Sequence, residues 1–212
     1  MGDPRFFNDI EGAPWAEVQR VKLEKLLRQL RYLRERSVFY QKKFAAAGVD
    51  PAKVTRLEDV AALPFTEKAE LRASLQEAPR LGLHRAAPLE QVAQIQASSG
   101  TPGSPAYVGL TRRDQYVWQE MGARCFYANG VRPGDLVMHG FSVSRGFVGG
   151  LPMSQIVMHL GATEIPVGAD AGTDRILRVM ADLRPQALAA TPYFAIHLAE
   201  QAPRLVAAAA RA

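Results

Sequence analysis

From residue 90 onward, short β-prone apolar runs alternate with longer amphipathic stretches, and that alternation restricts the fold more than any other feature of the chain. Residues 92–97 and 106–110 read as strands, followed by a helix that Thr111 and Asp114 can start and Asn129-Gly130 can stop. Arg132-Pro133-Gly134-Asp135 is a turn into a strand at 136–139. A glycine-containing helix at 147–160, closed by Gly161, leads to a strand at 162–166. Thr173 can cap a helix running to Leu183, Pro185 stops it, and a strand at 186–190 and a helix at 193–200 follow. Strand–helix–strand alternation implies βαβ units and a parallel sheet, so the fold class is α/β. The first two strands have no helix between them and read as a pair joined by an enlarged turn.

The N-terminal part is helical. Across residues 15–36, Val18, Val21, Leu23, Leu26, Leu27, Leu30 and Leu33 recur at three- and four-residue steps, with arginines and lysines filling the other side. Such a basic amphipathic helix can meet a membrane or nucleic acid. Glu17, Glu24 and Glu35 interrupt the positive field, and the reading adopted is a leucine stripe docked on a core. Phe39, Tyr40 and Phe44 lead to a turn at Gly48-Val49-Asp50-Pro51, then a linker, then a helix that Thr66 can cap with Glu67 in its first turn. The expected organisation is therefore a helical region at 1–89, packing on the core, and an α/β subdomain at 90–212. The chain stops at Ala212 soon after a helix, so further strands and domains are expected beyond it.

Composition sets limits on function. With 48% hydrophobic and 22% charged residues, the 212-residue chain reads as globular, and no apolar run reaches the length of a membrane span. Its polar N-terminus has no apolar leader segment, which points to the cytoplasm. The single cysteine, Cys125, excludes an internal disulfide and a cysteine metal cluster; inside an apparent helix, it reads as a packed thiol. The net charge of +5 suits an anionic ligand, but the basic residues are spread along the chain, which argues against nucleic acid. His84, His139, His159 and His197 stand far apart with no metal-binding spacing. Of these, only His139, at a strand's end beside Gly140, could stand near a cleft, and a structural role is the favoured reading even there.

The richest stretch for chemistry is Ser98-Ser99-Gly100-Thr101-Pro102-Gly103-Ser104-Pro105. Glycines let the backbone approach a ligand closely, successive N–H groups can converge on an anion, and the hydroxyls add short donors to phosphate oxygens. A plain hairpin turn also favours these residues, and composition leaves both readings open. The stretch is not a Walker loop, and neither a dinucleotide fingerprint nor a G-x-S-x-G elbow occurs.

The string resembles the loop S-S-G-T-T-G-K-P-T with which adenylate-forming enzymes hold the β- and γ-phosphates of ATP. Ser98, Ser99, Gly100, Thr101, Gly103 and Pro105 match it. The resemblance is closest to the phenylacetate–CoA ligases and covers nearly the whole chain. Ser37-Val38-Phe39-Tyr40, Leu63-Pro64-Phe65-Thr66-Glu67-Lys68, Val108-Gly109-Leu110-Thr111, Gly130-Val131-Arg132-Pro133-Gly134-Asp135, Leu160-Gly161-Ala162-Thr163 and Thr191-Pro192-Tyr193 follow that family in order. Two positions depart from it. Ser104 stands where the family has a lysine, and Pro102, which lacks an N–H, where it has a second threonine. Both changes weaken the grip on phosphate.

The resemblance implies the N-terminal half of an aryl-CoA ligase that adenylates an aromatic carboxylate and transfers it to CoA, the chain alone being inactive. It implies Ser98, Ser99, Gly100, Thr101, Gly103 and Ser104 for ATP phosphates, with Mg2+ and CoA as further ligands. Phe147, Gly149 and Ser142 belong to the aryl pocket; Ser142 and Ser144 replace family tyrosines, and Arg145 is added, favouring an acid with a polar substituent. No catalytic residue and no protein-held metal site is identified. Nucleic acid and membrane are not expected as partners, whereas a homodimer is compatible with the family. A non-catalytic module that has lost ATP is the alternative.

Overall fold

The structure is a computed structural model that describes residues 5–78, 80–98, 105–143, 146 and 149–209, without the side chains of 205–209. It divides into two compact units, one running from Asn8 to Arg112 and the other from Arg113 to the C-terminus with a short N-terminal piece ending at Phe7.

The first unit is built on helices. α1 (Trp15–Arg36) spans the expected residues, and Leu30 is buried with Phe44 and Val54 while Leu26, Leu27 and Leu33 pack around them. The amphipathic stripe thus docks on a core, and the outer face is laced by pairs such as Arg20 with Glu17. α2 (Val38–Ala46) follows after Ser37, whose hydroxyl accepts the Tyr40 N–H. The expected linker forms two 3-10 turns, Pro51–Lys53 and Leu57–Ala62. In the second, the Asp59 carboxylate accepts the Thr55 N–H and meets the Arg56 guanidinium, which together hold its pKa down to about 2.

α3 (Lys68–Glu77) starts one residue later than Thr66 capping would set it. Glu67 takes the cap position because the Glu70 carboxylate reaches back to its N–H at 2.7 Å, while the Thr66 hydroxyl turns away to Tyr40. β1 (Val92–Ala97) and β2 (Tyr107–Thr111) pair antiparallel, from Val92 opposite Thr111 to Ala97 opposite Tyr107, confirming the helix-free strand pair.

The second unit is a three-stranded parallel sheet with helices on both faces. α4 (Arg112–Ala128) ends at Asn129-Gly130, and the Arg132–Asp135 turn delivers β3 (Leu136–His139). α5 (Leu151–Leu160), β4 (Thr163–Ile165), α6 (Thr173–Leu183), β5 (Ala187–Ala189) and α7 (Pro192–Ala209) complete it. The strand order is β4-β3-β5, with β3 central and parallel to both neighbours. Alternation along β3 explains the two layers. Val137 joins Ala123 of α4 with Val157 and Leu160 of α5, whereas Met138 joins Ile176 and Leu177 of α6 with Leu198 of α7.

Four expectations change here. α5 begins at Leu151 and not at 147, because Gly149 and Gly150 stay outside the helix and Pro152 fits its first turn. Thr173 is the first residue of α6, preceded by Gly172, and its hydroxyl meets His197 Nε2 at 3.1 Å instead of capping. The last helix continues well past residue 200, through Pro203. Cys125 is exposed, not packed: it lies two residues, about 200° around α4, from buried Ala123.

Candidate functional site

In the first unit the feature of interest is the neck of the hairpin. The Ser98 N–H donates to the Ala106 carbonyl at 3.0 Å, and the Ala106 N–H returns a bond to the Ser98 hydroxyl at 3.1 Å. Ser98 therefore closes the base of the hydroxyl-rich stretch with both its backbone and its side chain. Ser99, Gly100, Thr101, Pro102, Gly103 and Ser104 lie outside the described residues. On β1, two residues before Ser98, Gln96 is 8% exposed, and its buried amide nitrogen has no hydrogen-bond partner among the described residues.

The neck is buttressed by a histidine whose role the sequence did not disclose. His84 Nε2 donates to the Tyr107 carbonyl at 2.9 Å, and its Nδ1 lies 3.0 Å from the hydroxyl of buried Ser74 on α3. Ser74 also accepts the His84 N–H at 3.0 Å. Every polar atom of this bridge is paired when the imidazole is neutral with its proton on Nε2. Gly82 makes it possible: with φ +70°, any Cβ there would sit 2.7 Å from both the Ser74 hydroxyl and the His84 ring.

In the second unit the candidate surface is the edge where β3, β4 and β5 end. Ligands of open parallel sheets bind outside the carboxyl ends of the strands, where neighbouring connections leave in opposite directions. The order β4-β3-β5 creates such a point between β3 and β5. There the two backbones close up, with the Gly140 N–H donating to the Ala189 carbonyl at 2.8 Å. The connection after β3 carries Ser142, whose hydroxyl donates to the carboxylate of Asp170 on the connection after β4. These connections touch closely, since a Cβ on Gly168 would lie 2.3 Å from the Phe141 carbonyl oxygen.

His139, the last residue of β3, is fully buried and belongs to this edge. Its Nε2 donates to the Gly149 carbonyl at 3.0 Å, and its Nδ1 lies 3.2 Å from the Glu164 carboxylate on β4. The Ser154 hydroxyl of α5 donates to the same carboxylate oxygen. His139 is thus buried and bonded within the fold, the structural role that the sequence reading favoured. Glu164, Ser154 and Asp170 had no local motif to reveal them. Phe147 and Ser144 lie outside the described residues, as does Arg145. Among the described residues no three His, Cys, Asp or Glu side chains converge as a metal site, and no helix is long and apolar enough to cross a membrane.

No family model matches the chain. It is similar to phenylacetate-coenzyme A ligase of Thermus thermophilus, at 37% identity over 193 residues, covering 91% of this chain and 42% of that protein. The ligase of the same name from Escherichia coli is 34% identical over 197 residues, covering 92% of this chain and 43% of that protein. The chain thus spans less than half the length of the curated relatives it matches. Among solved structures, 2-hydroxyisobutyryl-CoA ligase in complex with 2-HIB-AMP and CoA superposes with a TM-score of 0.88 at 31% identity, over 95% of this chain and 43% of that one. The same ligase in an open conformation gives a TM-score of 0.80 at 29% identity. The α/β architecture is therefore that of the adenylate-forming CoA ligases.

Proposed function

We propose that this chain, which belongs to the phenylacetate–CoA ligase family and corresponds to the N-terminal half of its members, carries the phosphate-binding and acyl-binding parts of an AMP-forming acid–thiol ligase. The observation that carries this reading is the match in sequence and fold over 91–95% of the chain to ligases of that kind. In this reading the hydroxyl-rich stretch serves phosphate and the carboxyl edge of the parallel sheet serves the acid.

In this reading the acid's carboxylate attacks the α-phosphorus of ATP in line, and pyrophosphate departs towards Ser98, Ser99, Gly100, Thr101, Gly103 and Ser104. Amides and hydroxyls there stabilise the charge that develops on the leaving group, in a position the enzyme sets in advance. The Ser98–Ala106 neck and the His84 bridge hold the root of that stretch. CoA thiol then attacks the acyl-adenylate and releases AMP. A magnesium ion entering with the nucleotide would neutralise charge on its phosphates.

The acid lies at the carboxyl edge of the parallel sheet, against Phe147, Gly149 and Ser142. Ser142 and Asp170 put a hydroxyl and a carboxylate on that edge, which favours an acid bearing a hydroxyl or similar polar group, aromatic in keeping with the family. A small 2-hydroxy acid is a second reading, supported by the same pair and by the likeness to 2-hydroxyisobutyryl-CoA ligase.

The test is acid-dependent ATP–pyrophosphate exchange by the polypeptide as its gene encodes it. Phenylacetate, hydroxyphenylacetates and 2-hydroxyisobutyrate form the panel. Exchange stimulated more by hydroxylated acids than by phenylacetate is expected, and preference for unsubstituted phenylacetate would remove the polar-pocket reading. ATP–magnesium calorimetry that shows no heat at millimolar nucleotide would replace the ligase by a non-catalytic module.

A further inference from the structure

The cluster at the end of β3 is costly to build. His139 is 0% exposed, Ser154 4% and the Glu164 side chain 7%, so an imidazole, a hydroxyl and a carboxylate are all withdrawn from water. Buried polar groups of this kind stabilise a fold little compared with apolar residues of the same volume, and removing one partner is expensive. Apolar packing is available on this face, where Val137 already meets Val157 and Leu160. The cluster therefore needs a reason other than stability.

Among the described residues the cluster reaches outward by a hydrogen bond to Gly149 and by the packing of the His139 ring against Phe141, 5.8 Å between centroids. Glu164 on β4 and Ser154 on α5 converge on one oxygen beside His139 Nδ1, which fixes the ring about its long axis. The opposite nitrogen, Nε2, is thereby aimed at the Gly149 carbonyl. The peptide it grips joins two glycines, Gly149 and Gly150, immediately before α5. Such a peptide has the least intrinsic preference for one orientation, because neither residue has a Cβ to restrict it. Since the peptide is planar and trans, turning the carbonyl inward to His139 turns the Gly150 N–H to the opposite side. One hydrogen bond thus sets both polar groups of the peptide that leads from the β3 connection into the helix.

We propose that His139 is a positioning residue, set by Glu164 and Ser154, that fixes the Gly149–Gly150 peptide and with it the acyl-binding wall at the carboxyl edge of the sheet. This rests on the ligase reading above for the identity of the ligand, but the hold on the peptide does not. The residue acts on recognition of the acid and leaves the phosphate-binding stretch untouched.

Two substitutions separate positioning from packing. A glutamine side chain places its amide N–H near the site of Nε2, whereas asparagine is too short and reaches only the Glu164 side. In His139→Asn the Gly149 carbonyl carbon should move upfield as it loses its donor, and in His139→Gln it should stay near its wild-type shift. In pyrophosphate exchange, His139→Asn should raise KM for the acid about tenfold with kcat and KM for ATP nearly unchanged, and His139→Gln should restore most of the loss. Equal carbonyl shifts or equal acid KM values for the two variants would overturn the proposal. Should the asparagine variant fail to fold, Glu164→Gln takes its place: it should broaden or move the Gly149 carbonyl signal, and an unmoved signal overturns the proposal. If a polypeptide that also carries the rest of the ligase shows no acid-dependent exchange, the ligase reading falls while the carbonyl shift still decides the role of His139.

Discussion

The antiparallel hairpin and the parallel sheet each hold a connection at the end of a strand, and they do so by different means. In the hairpin the two ends of the connection are eight residues apart and bond to each other, through Ser98 and Ala106. Position is set by backbone register, with a histidine bridge as outside support. In the sheet, β3 and β4 are parallel and their ends are joined only through α5. The connection after β3 is held instead by side chains from β3, β4 and α5 meeting at His139. A local device fixes where a loop begins; a non-local one fixes how a particular peptide within it is turned.

The contrast can be broken from the sheet side first. Ile176 is fully buried against Met138, so Ile176→Ala should cost about 2–5 kcal/mol in urea unfolding, because the parallel core depends on side-chain packing across α6 and β3. A loss below the effect of a hairpin-neck substitution would reverse the comparison. Next comes the neck itself. Ser98→Ala leaves the Ala106 N–H without its hydroxyl acceptor and should cost about 1–2 kcal/mol, with KM for ATP rising in pyrophosphate exchange and KM for the acid unchanged. An effect on the acid instead would blur the two devices. The smallest effect belongs to Asp59. Its folded pKa of about 2 lies below the usual carboxylate range near 3.9, so its contribution to stability is present above about pH 4 and is lost as pH falls towards 2. The stability gap between wild type and Asp59→Asn should therefore narrow over that window in acid titrations of unfolding, and a constant gap would contradict the assignment.

The same contrast explains what could be read in advance. α1, β1 and β3 fall on the expected residues because each announces itself within a few turns or residues, by a leucine stripe, an apolar run or a flanking turn. Helix starts were less legible. Thr66 and Thr173 are good capping residues by type, but a glutamate three residues beyond Glu67 and a histidine on another helix took over. Cys125 reads as packed until the inner face of α4 is known. In the candidate site, Ser98 was marked by the composition of its stretch, Ser142 and Gly149 by resemblance to the family, and His139 chiefly as a structural residue. Glu164, Ser154, His84 and Asp170 were not, since each acquires meaning only from a partner far away in sequence.

The contact beneath Gly168 bears on how such a pocket can be redesigned. A methyl group there would collide with main-chain oxygen, which no rotamer change can relieve, so the turn after β4 acts as a fixed anvil against which the β3 connection is shaped. If the ligase reading proposed above holds, variation in the acid is to be sought at side chains such as Ser142, since residue 168 has no room for one.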